Sequence, residues 1–179
     1  RLDVARLVGE IEIVPGGLRL GLGDGDGRLS RDELPERIET EAWVQLTGED
    51  AARYRAAVAA GNVMAMRRAA LESADSAKLE RIKEIVSEAA GDGMKVLVFS
   101  TFLSVLDLLA RELPAVSGRI DGSVAPAARQ ELVQDFADRA DHAVLLSQIE
   151  AGGVGLNIQA ASVVVLAEPH WKPSVEEQA

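Results

Sequence analysis

Three glycines close together near the end of the chain are the strongest candidates for a ligand-binding loop. They are Gly152, Gly153 and Gly155. Apolar runs at Ala143–Leu146 and Val163–Leu166 flank them. Without a Cβ, this backbone can approach a phosphate closely and tolerate unusual φ angles. In an open α/β sheet, ligands bind at the ends of buried strands. The glycines and the nearby Asn157 therefore form a candidate site, with a purely structural turn as the alternative.

Polar residues also follow two other predicted strands. Ser100 and Thr101 come directly after the apolar run Val96–Phe99, and N-capping of the next helix would explain them without any ligand. The segment Asp121-Gly122-Ser123 follows a weaker strand, and these residue types form a turn by themselves. From the residues alone, a structural role as helix cap or turn explains the residue types in both segments without a ligand.

Several other chemistries lack the residues they need. The sequence has no Gly-x-x-x-x-Gly-Lys-Ser/Thr phosphate loop, no Asp-Glu-x-His strand end and no nucleophile-elbow pattern. It has no cysteine, and His170 has no second ligand at metal-binding spacing. The glycine segment also lacks the spacing of a dinucleotide-binding fingerprint. We therefore predict neither a metal site nor a catalytic residue within this chain.

One acidic segment imitates a calcium-binding loop. In a twelve-residue loop over residues 22–33, with Gly27 at the sixth position, Asp24, Asp26, Ser30 and Glu33 supply oxygen-bearing side chains at positions three, five, nine and twelve. The first position, however, is Leu22, which offers no side-chain oxygen. A solvated acidic turn is the preferred interpretation.

The elements that must position these residues alternate between strands and helices. The apolar spacing predicts strands at 40–46, 96–99, 116–120, 143–146 and 163–166, and helices from about 49, 64, 76, 103 and 126. Such alternation is typical of a parallel sheet covered by helices on both faces. Residues 1–33 are rich in glycine and are interpreted as a loop-rich connector.

Composition limits the partners that the chain can bind. The 179 residues are 47% hydrophobic, enough to fill one core, and carry a formal net charge of −10. This charge argues against a broad surface that grips nucleic acid, because phosphate contacts need clustered Lys and Arg. There is no long apolar run for a membrane span and no basic leader at the start, so we expect no membrane partner and a cytoplasmic location.

An ordered set of motifs resembles the SWI/SNF-like ATPases, the DNA-translocating branch of helicase superfamily two. The segment Ala143–Ala179 resembles the fifth helicase motif and the block after it. Further matches lie upstream in the same order as in the family. Lys95–Phe102 resembles the fourth motif, and Arg119–Phe136 resembles the strand, turn and helix that follow it. Ser76–Ala90 resembles a lead-in helix, and Leu34–Tyr54 resembles the entry into the second motor lobe.

The resemblance implies an α/β fold. This is a RecA-like three-layer αβα lobe with a mostly parallel sheet, preceded by a loop-rich and helical N-terminal segment. The implied division is a connector over 1–33, a strand-helix entry into the second lobe over 34–92, and an incomplete C-terminal lobe over 93–179. The sequence stops before the family's sixth motif, which carries the arginine fingers. The isolated chain is accordingly not expected to hydrolyse ATP, whereas the parent protein is expected to be a DNA-dependent ATPase.

Site roles also follow from the resemblance. Gly152, Gly153, Gly155 and Asn157 would face the ATP cleft between two lobes, with ATP and Mg²⁺ held mainly by the N-terminal RecA-like lobe of the same protein. The residues on the side of double-stranded DNA would be Ser100, Thr101, Asp121, Gly122, Ser123 and Gln148. Two positions depart from the common family pattern, since Gln148 replaces Ser or Thr and Glu150 replaces Lys or Arg. A glutamine can still donate to a phosphate oxygen, but a glutamate would repel one.

The implied function is the second motor lobe of an ATP-dependent translocase or remodeller of the SWI/SNF type, acting on double-stranded DNA. The acidic charge and Glu150 favour the alternative, a non-catalytic helicase-like lobe that serves as a protein-interaction scaffold.

Overall fold

The computed structural model describes residues 4–9, 40–46, 48–152 and 158–168. The strands in this part of the chain are β1 (Val4–Gly9), β2 (Thr40–Gln45), β3 (Val96–Ser100), β4 (Val116–Ile120), β5 (Val144–Gln148) and β6 (Val163–Leu166). The helices are α1 (Gly48–Ala59), α2 (Val63–Ala69), α3 (Ala77–Gly91), α4 (Leu103–Glu112), α5 (Pro126–Asp138) and the short α6 (Ile149–Gly152). Every predicted strand and helix from residue 40 onward is confirmed, with ends shifted by one or two residues at most sites.

Four strands form a parallel sheet in the order β4-β5-β3-β6. The registers place Ser100 beside Gln148, and Phe99 beside Leu166. Runs of apolar residues form β3, β5 and β6 because both faces of these strands are covered, which removes the alternation seen in half-exposed strands. The edge strand β4 is only partly buried. Parallel strands need long crossover connections, which the helices supply.

The core has two layers, one on each face of this sheet. Val96 and Val98 of β3 pack with the apolar stripes of α3 and α4, whereas Leu97 and Phe99 pack with α5. Full burial of such side chains contributes roughly 1.5–3 kcal/mol each. Phe136 anchors α5 and is completely buried. The predicted arrangement of a mostly parallel sheet between helix layers is confirmed.

The N-terminal part contains a strand that the sequence did not predict. Residues 1–33 were expected to form a loop-rich connector, but Val4–Gly9 pairs antiparallel with Thr40–Gln45. The prediction was wrong for this segment because its partner strand lies far along the chain. The calcium-like segment Asp24–Glu33 lies outside the described residues.

Helix starts show which local signals were correct. The Ser76 hydroxyl accepts hydrogen bonds from the N–H groups of Lys78 and Leu79 at 3.2 and 3.3 Å, so α3 begins where predicted. Helix α4 begins after Phe102, which provides no side-chain cap. The expectation that Ser100 or Thr101 caps this helix is therefore wrong, because both lie too early in the chain. None of the helices within the described ranges has the length and apolar character that a membrane span requires.

Candidate functional site

The carboxyl ends of β3, β4 and β5 meet at one edge of the parallel sheet. Ser100 and Gln148 are the last residues of neighbouring strands and lie opposite each other. On the other side of β5, Ile120 pairs with Ser147, so Asp121 follows at the same level as Gln148. The topology therefore brings together all six residues that the resemblance assigns to the DNA side, although they are spread over some fifty positions of the sequence.

Gln148 connects the two neighbouring loops. Its side-chain oxygen accepts a hydrogen bond from the backbone N–H of Gly122 at 3.2 Å. Its amide nitrogen donates to the backbone carbonyl of Thr101 at 3.5 Å. A serine or threonine at this position has a shorter side chain with a single oxygen. The glutamine thus replaces the common family residue with a bridge across the edge of the sheet.

The turn after β4 is built around the Asp121 carboxylate. One of its oxygens accepts hydrogen bonds from the backbone N–H and the hydroxyl of Ser123, at 2.9 and 2.5 Å. The other lies 3.0 Å from the Arg119 guanidinium. The hydroxyl hydrogen bond of Ser123 is the main reason why the pKa of Asp121 lies below its ordinary value. Gly122 and Ser123 are exposed, so their backbone is the accessible part of this turn.

The loop after β3 turns its polar groups inward. Ser100 is only 2% exposed, and its hydroxyl lies 3.0 and 3.1 Å from the two carboxylate oxygens of Glu168, to which it donates. The N–H of Thr101 donates to Glu168 at 3.0 Å. The hydroxyl of Thr101 accepts from the Arg67 guanidinium at 3.2 Å. Ser100 consequently lies behind the surface, and half-buried Thr101 is the accessible residue of the pair.

Two buried charges accompany this loop, and the sequence analysis did not identify them as site residues. Glu168 at the end of β6 is 3% exposed, and burial raises its pKa above the ordinary value, with the charge of Lys78 as the main opposing effect. Lys78 in the first turn of α3 is 1% exposed, and burial lowers its pKa to about 8, opposed chiefly by the charge of Glu168. The local signals were a carboxylate directly after an apolar strand and a lysine between apolar helix positions. Neither signal indicates that the two residues are close in space.

A third unforeseen residue links the turn after β4 to the start of the glycine segment. The Arg129 guanidinium of α5 donates to the backbone carbonyl of Val124 at 2.8 Å and to those of Asp121 and Ala151, both at 3.3 Å. Ala151 belongs to α6, the short helix that leads into the glycines. All three acceptors are backbone atoms, so their own side chains leave no sequence signal.

The glycine segment itself is described only at its first residue. Gly152 ends α6, whereas Gly153, Gly155 and Asn157 lie outside the described residues. Within α6, Ile149 is buried and Glu150 is exposed. The carboxylate that departs from the family pattern therefore faces solvent beside the sheet edge.

The described residues of this edge offer hydroxyls and backbone amides rather than a cluster of metal ligands. Within the described ranges, no group of three or more His, Asp or Glu side chains is arranged to hold a metal ion. His170 lies outside those ranges. The donors that are present suit phosphate oxygens better than a divalent cation.

Curated relatives share this part of the chain. The DNA repair protein RAD5B of Arabidopsis thaliana is 42% identical over 106 residues, which are 56% of this chain and 8% of that protein. The chromatin-remodeling ATPase INO80 of Drosophila melanogaster is 34% identical over 108 residues, which are 59% of this chain and 7% of that protein. The chain thus spans less than a tenth of the length of either relative.

Solved structures show the same fold. The C-terminal part of the Fun30 ATPase domain matches with a TM-score of 0.54 and 30% identity, over 58% of this chain and 35% of that chain. The SWI2/SNF2 ATPase core domain of Sulfolobus solfataricus matches with a TM-score of 0.64 and 20% identity, over 75% of this chain and 35% of that chain. The second match supports the fold alone, since its identity is low.

The sequence match is continuous over the second half of the molecule. Residues 77–179, from the first turn of α3 onward, match the helicase conserved C-terminal domain family. Because this match covers more than half of the chain and agrees with the relatives and the fold, the chain belongs to that family, as a C-terminal RecA-like lobe of the SWI/SNF type in helicase superfamily two.

Proposed function

We propose that the chain is the second motor lobe of an ATP-dependent translocase or remodeller that moves along double-stranded DNA. In this proposal the sheet edge formed by the ends of β3, β4 and β5 follows the DNA backbone. The glycine segment that begins at Gly152 faces the ATP cleft between this lobe and the N-terminal RecA-like lobe of the same protein. The whole protein is then a DNA-dependent ATPase.

One observation carries the proposal, namely the bridge that Gln148 makes between the Gly122 turn and the Thr101 loop. It holds two separate loops in one arrangement at the edge where open α/β sheets bind their ligands. Gly122 and Ser123 are exposed, and their N–H groups and hydroxyl are common types of phosphate ligand that would exchange their present bonds to Gln148 and Asp121 for a phosphate oxygen. Ser100 supports the loop from inside, and its direct contact with DNA remains a prediction.

The net charge of −10 defines what kind of DNA contact is expected. A broad electrostatic grip needs clustered Lys and Arg, and log affinity then falls steeply with log salt. A narrow contact through backbone amides and hydroxyls involves few counterions. We therefore expect this lobe to contribute a shallow salt dependence, with most of the electrostatic affinity supplied elsewhere in the protein.

ATP and Mg²⁺ are proposed to be bound mainly by the N-terminal lobe. That lobe supplies the phosphate loop and the metal ligands, which this sequence lacks. From this chain, Gly152, Gly153, Gly155 and Asn157 would place backbone amides against the nucleotide side of the cleft. The cytoplasmic location expected from the sequence remains a prediction.

ATP turnover tests the motor function directly. The polypeptide that contains both lobes is assayed with and without duplex DNA, and with single-stranded DNA as a control. Strong stimulation by the duplex is the expected result. Absence of turnover under all three conditions would reject the motor function and leave the scaffold alternative.

Two observations favour that alternative, a helicase-shaped protein-interaction scaffold. The chain is acidic, and Glu150 is exposed where the common family pattern has a basic residue. Reversing this charge distinguishes the two functions. If the protein is a motor, Glu150→Lys is expected to strengthen its binding to duplex DNA. If it is a scaffold, neither the wild type nor the variant binds duplex DNA.

A further inference from the structure

Glu168 makes the principal side-chain contact that orients the loop after β3. Its carboxylate lies at the end of β6 and accepts hydrogen bonds from the Ser100 hydroxyl and the Thr101 N–H, all between 3.0 and 3.1 Å. The Ser100 oxygen accepts in turn from the N–H of Phe102 at 3.0 Å. Three consecutive residues of the loop are therefore fixed, directly or through one hydroxyl, by a single buried carboxylate.

Burial raises the pKa of the Glu168 carboxyl, and the charge of Lys78 is the largest effect that opposes this rise. Lys78 comes from the first turn of α3 and, like Glu168, is almost completely buried. Electrostatic attraction to the partner is the largest effect that favours the charged form of each residue. A buried charge needs such a partner, because desolvation is otherwise too costly. The two residues therefore influence each other through their charges, one at the start of α3 and the other after β6.

A second cation fixes the outer side of the same loop. The guanidinium of Arg67 in α2 donates to the Thr101 hydroxyl at 3.2 Å and lies 5.6 Å from the centre of the Phe102 ring. Thr101 is therefore held by its N–H on the Glu168 side and by its hydroxyl on the Arg67 side. Its carbonyl accepts the hydrogen bond from Gln148.

We infer that Glu168 is a positioning residue for the proposed DNA contact, which acts through its hydrogen bonds to Ser100 and Thr101. This inference rests on the proposed function in one respect, since it assumes that the Thr101 loop faces DNA. The orientation of the loop can be tested without DNA. Glu168 need not touch the nucleic acid to affect its binding.

Hydrogen exchange at single amides tests the positioning step in this chain. The amides of Thr101 and Phe102 are measured in wild type and in two double variants, Lys78→Met/Glu168→Gln and Lys78→Met/Glu168→Leu. The second of these is the disruptive one. It removes both charges and keeps the volume filled, because apolar replacement of a whole buried ion pair is generally tolerated. We expect both amides to exchange at least about tenfold faster in this disruptive variant. The amide of Val98 in the middle of β3 should remain protected.

Glu168→Gln separates the hydrogen bond from the charge. Glutamine retains one acceptor oxygen for the Thr101 N–H, so the exchange rates should stay near those of wild type when Lys78→Met accompanies it. The matched control is the half-buried pair of Lys83 and Glu112, which joins α3 to α4 at 3.0 Å. Neutralising that pair with Lys83→Met/Glu112→Gln should leave the loop amides unchanged. Unchanged loop exchange in Lys78→Met/Glu168→Leu would overturn the inference.

Duplex affinity then tests the functional step in the polypeptide that contains both lobes. We expect Lys78→Met/Glu168→Leu to weaken duplex binding about fivefold or more, measured at a temperature at which the variant is fully folded. Glu168→Gln with Lys78→Met should restore most of the affinity. Faster loop exchange with unaltered affinity would overturn the proposed link to DNA. If the wild type itself binds no duplex, the proposed function fails, and the exchange data alone decide the positioning role.

Discussion

The side-chain oxygen of Gln148, at the end of β5, accepts a hydrogen bond from the backbone N–H of Gly122 at 3.2 Å. Gly122 lies in the turn between β4 and α5. The same side chain reaches the carbonyl of Thr101 on the opposite side. One glutamine therefore sets the spacing of two loops that share no direct hydrogen bond in the described structure.

Gln148→Leu should loosen the turn after β4 with little change in the core. Leucine fills a similar volume but leaves the Gly122 N–H without its partner, so we expect a loss of about 1 kcal/mol in the free energy of unfolding. Local opening at Gly122 should accelerate by about tenfold, as measured by amide hydrogen exchange. Gln134→Leu is the control, because that exposed glutamine bonds only Asp138 on its own helix at 2.8 Å. Equal exchange at Gly122 in both variants would contradict the bridging role.

Arg129→Lys should separate the turn after β4 from α6. The guanidinium reaches three backbone carbonyls at once, whereas an ammonium group lacks the planar fork needed to reproduce this arrangement. We expect a loss of about 1–2 kcal/mol in stability and faster exchange of the Val124 amide, which donates to Asp121. Arg139→Lys at the exposed end of the same helix supplies the comparison and should change neither quantity. If Arg129→Lys and Arg139→Lys have the same stability and the same exchange rate at Val124, the linking role of Arg129 is ruled out.

The lowered pKa of Lys78 predicts that the free energy of unfolding rises with pH between about 8 and 10.5. Its pKa is about 8 in the folded chain and 10.5 without burial, so between these values the unfolded chain binds more protons. The free energy of unfolding should therefore increase by roughly 1–3 kcal/mol from pH 8 to 10.5 relative to Lys78→Met/Glu168→Gln. Chemical denaturation at several pH values measures this difference.

Lys83 serves as the control for the alkaline rise. Contacts with Glu80 and Glu112 raise its pKa above 10.5, so its stabilising effect is lost only above the window tested. Lys83→Met should consequently retain the rise between pH 8 and 10. A rise that persists in Lys78→Met/Glu168→Gln would assign it to another group.

Gly118→Ala should destabilise the sheet edge where β4 meets α5. A Cβ at this position would lie 2.8 Å from a terminal methyl carbon of Leu132, which must move aside. Because that atom ends a flexible side chain, we expect a cost of about 1 kcal/mol. Gly91→Ala at the end of α3 meets no atom within 4 Å and should instead gain about 0.5 kcal/mol. Thermal unfolding of the two variants should shift in opposite directions.

The strands and helices from residue 40 onward were predictable because their signals are local. The stripe of Leu79, Ile82 and Val86 defines α3, and the buried run of β3 defines the centre of the sheet. Parallel topology brings the carboxyl ends of the strands to one edge, and the structure shows Ser100 paired there with Gln148. These conclusions need only the sequence period and the rule that crossovers align strand ends.

The contacts that fix the site could not be predicted in the same way. Lys78 and Glu168 lie on elements at opposite ends of the second half of the chain, and only the packed fold places them in each other's electrostatic field. The Arg129 interactions involve backbone acceptors, which are present at every residue and carry no pattern. Strand β1 was missed for a related reason, since a strand is defined by its partner as much as by its own residues.

The central position of β3 separates the chemistry of the edge from the stability of the lobe. Its alternate residues fill two different core layers, whereas its polar neighbours begin only where the strand ends. Mutational drift at exposed edge positions such as Ser123 and Glu150 therefore has little access to the core. Single substitutions at these positions therefore change the charge and polarity of the edge while the scaffold is inherited unchanged.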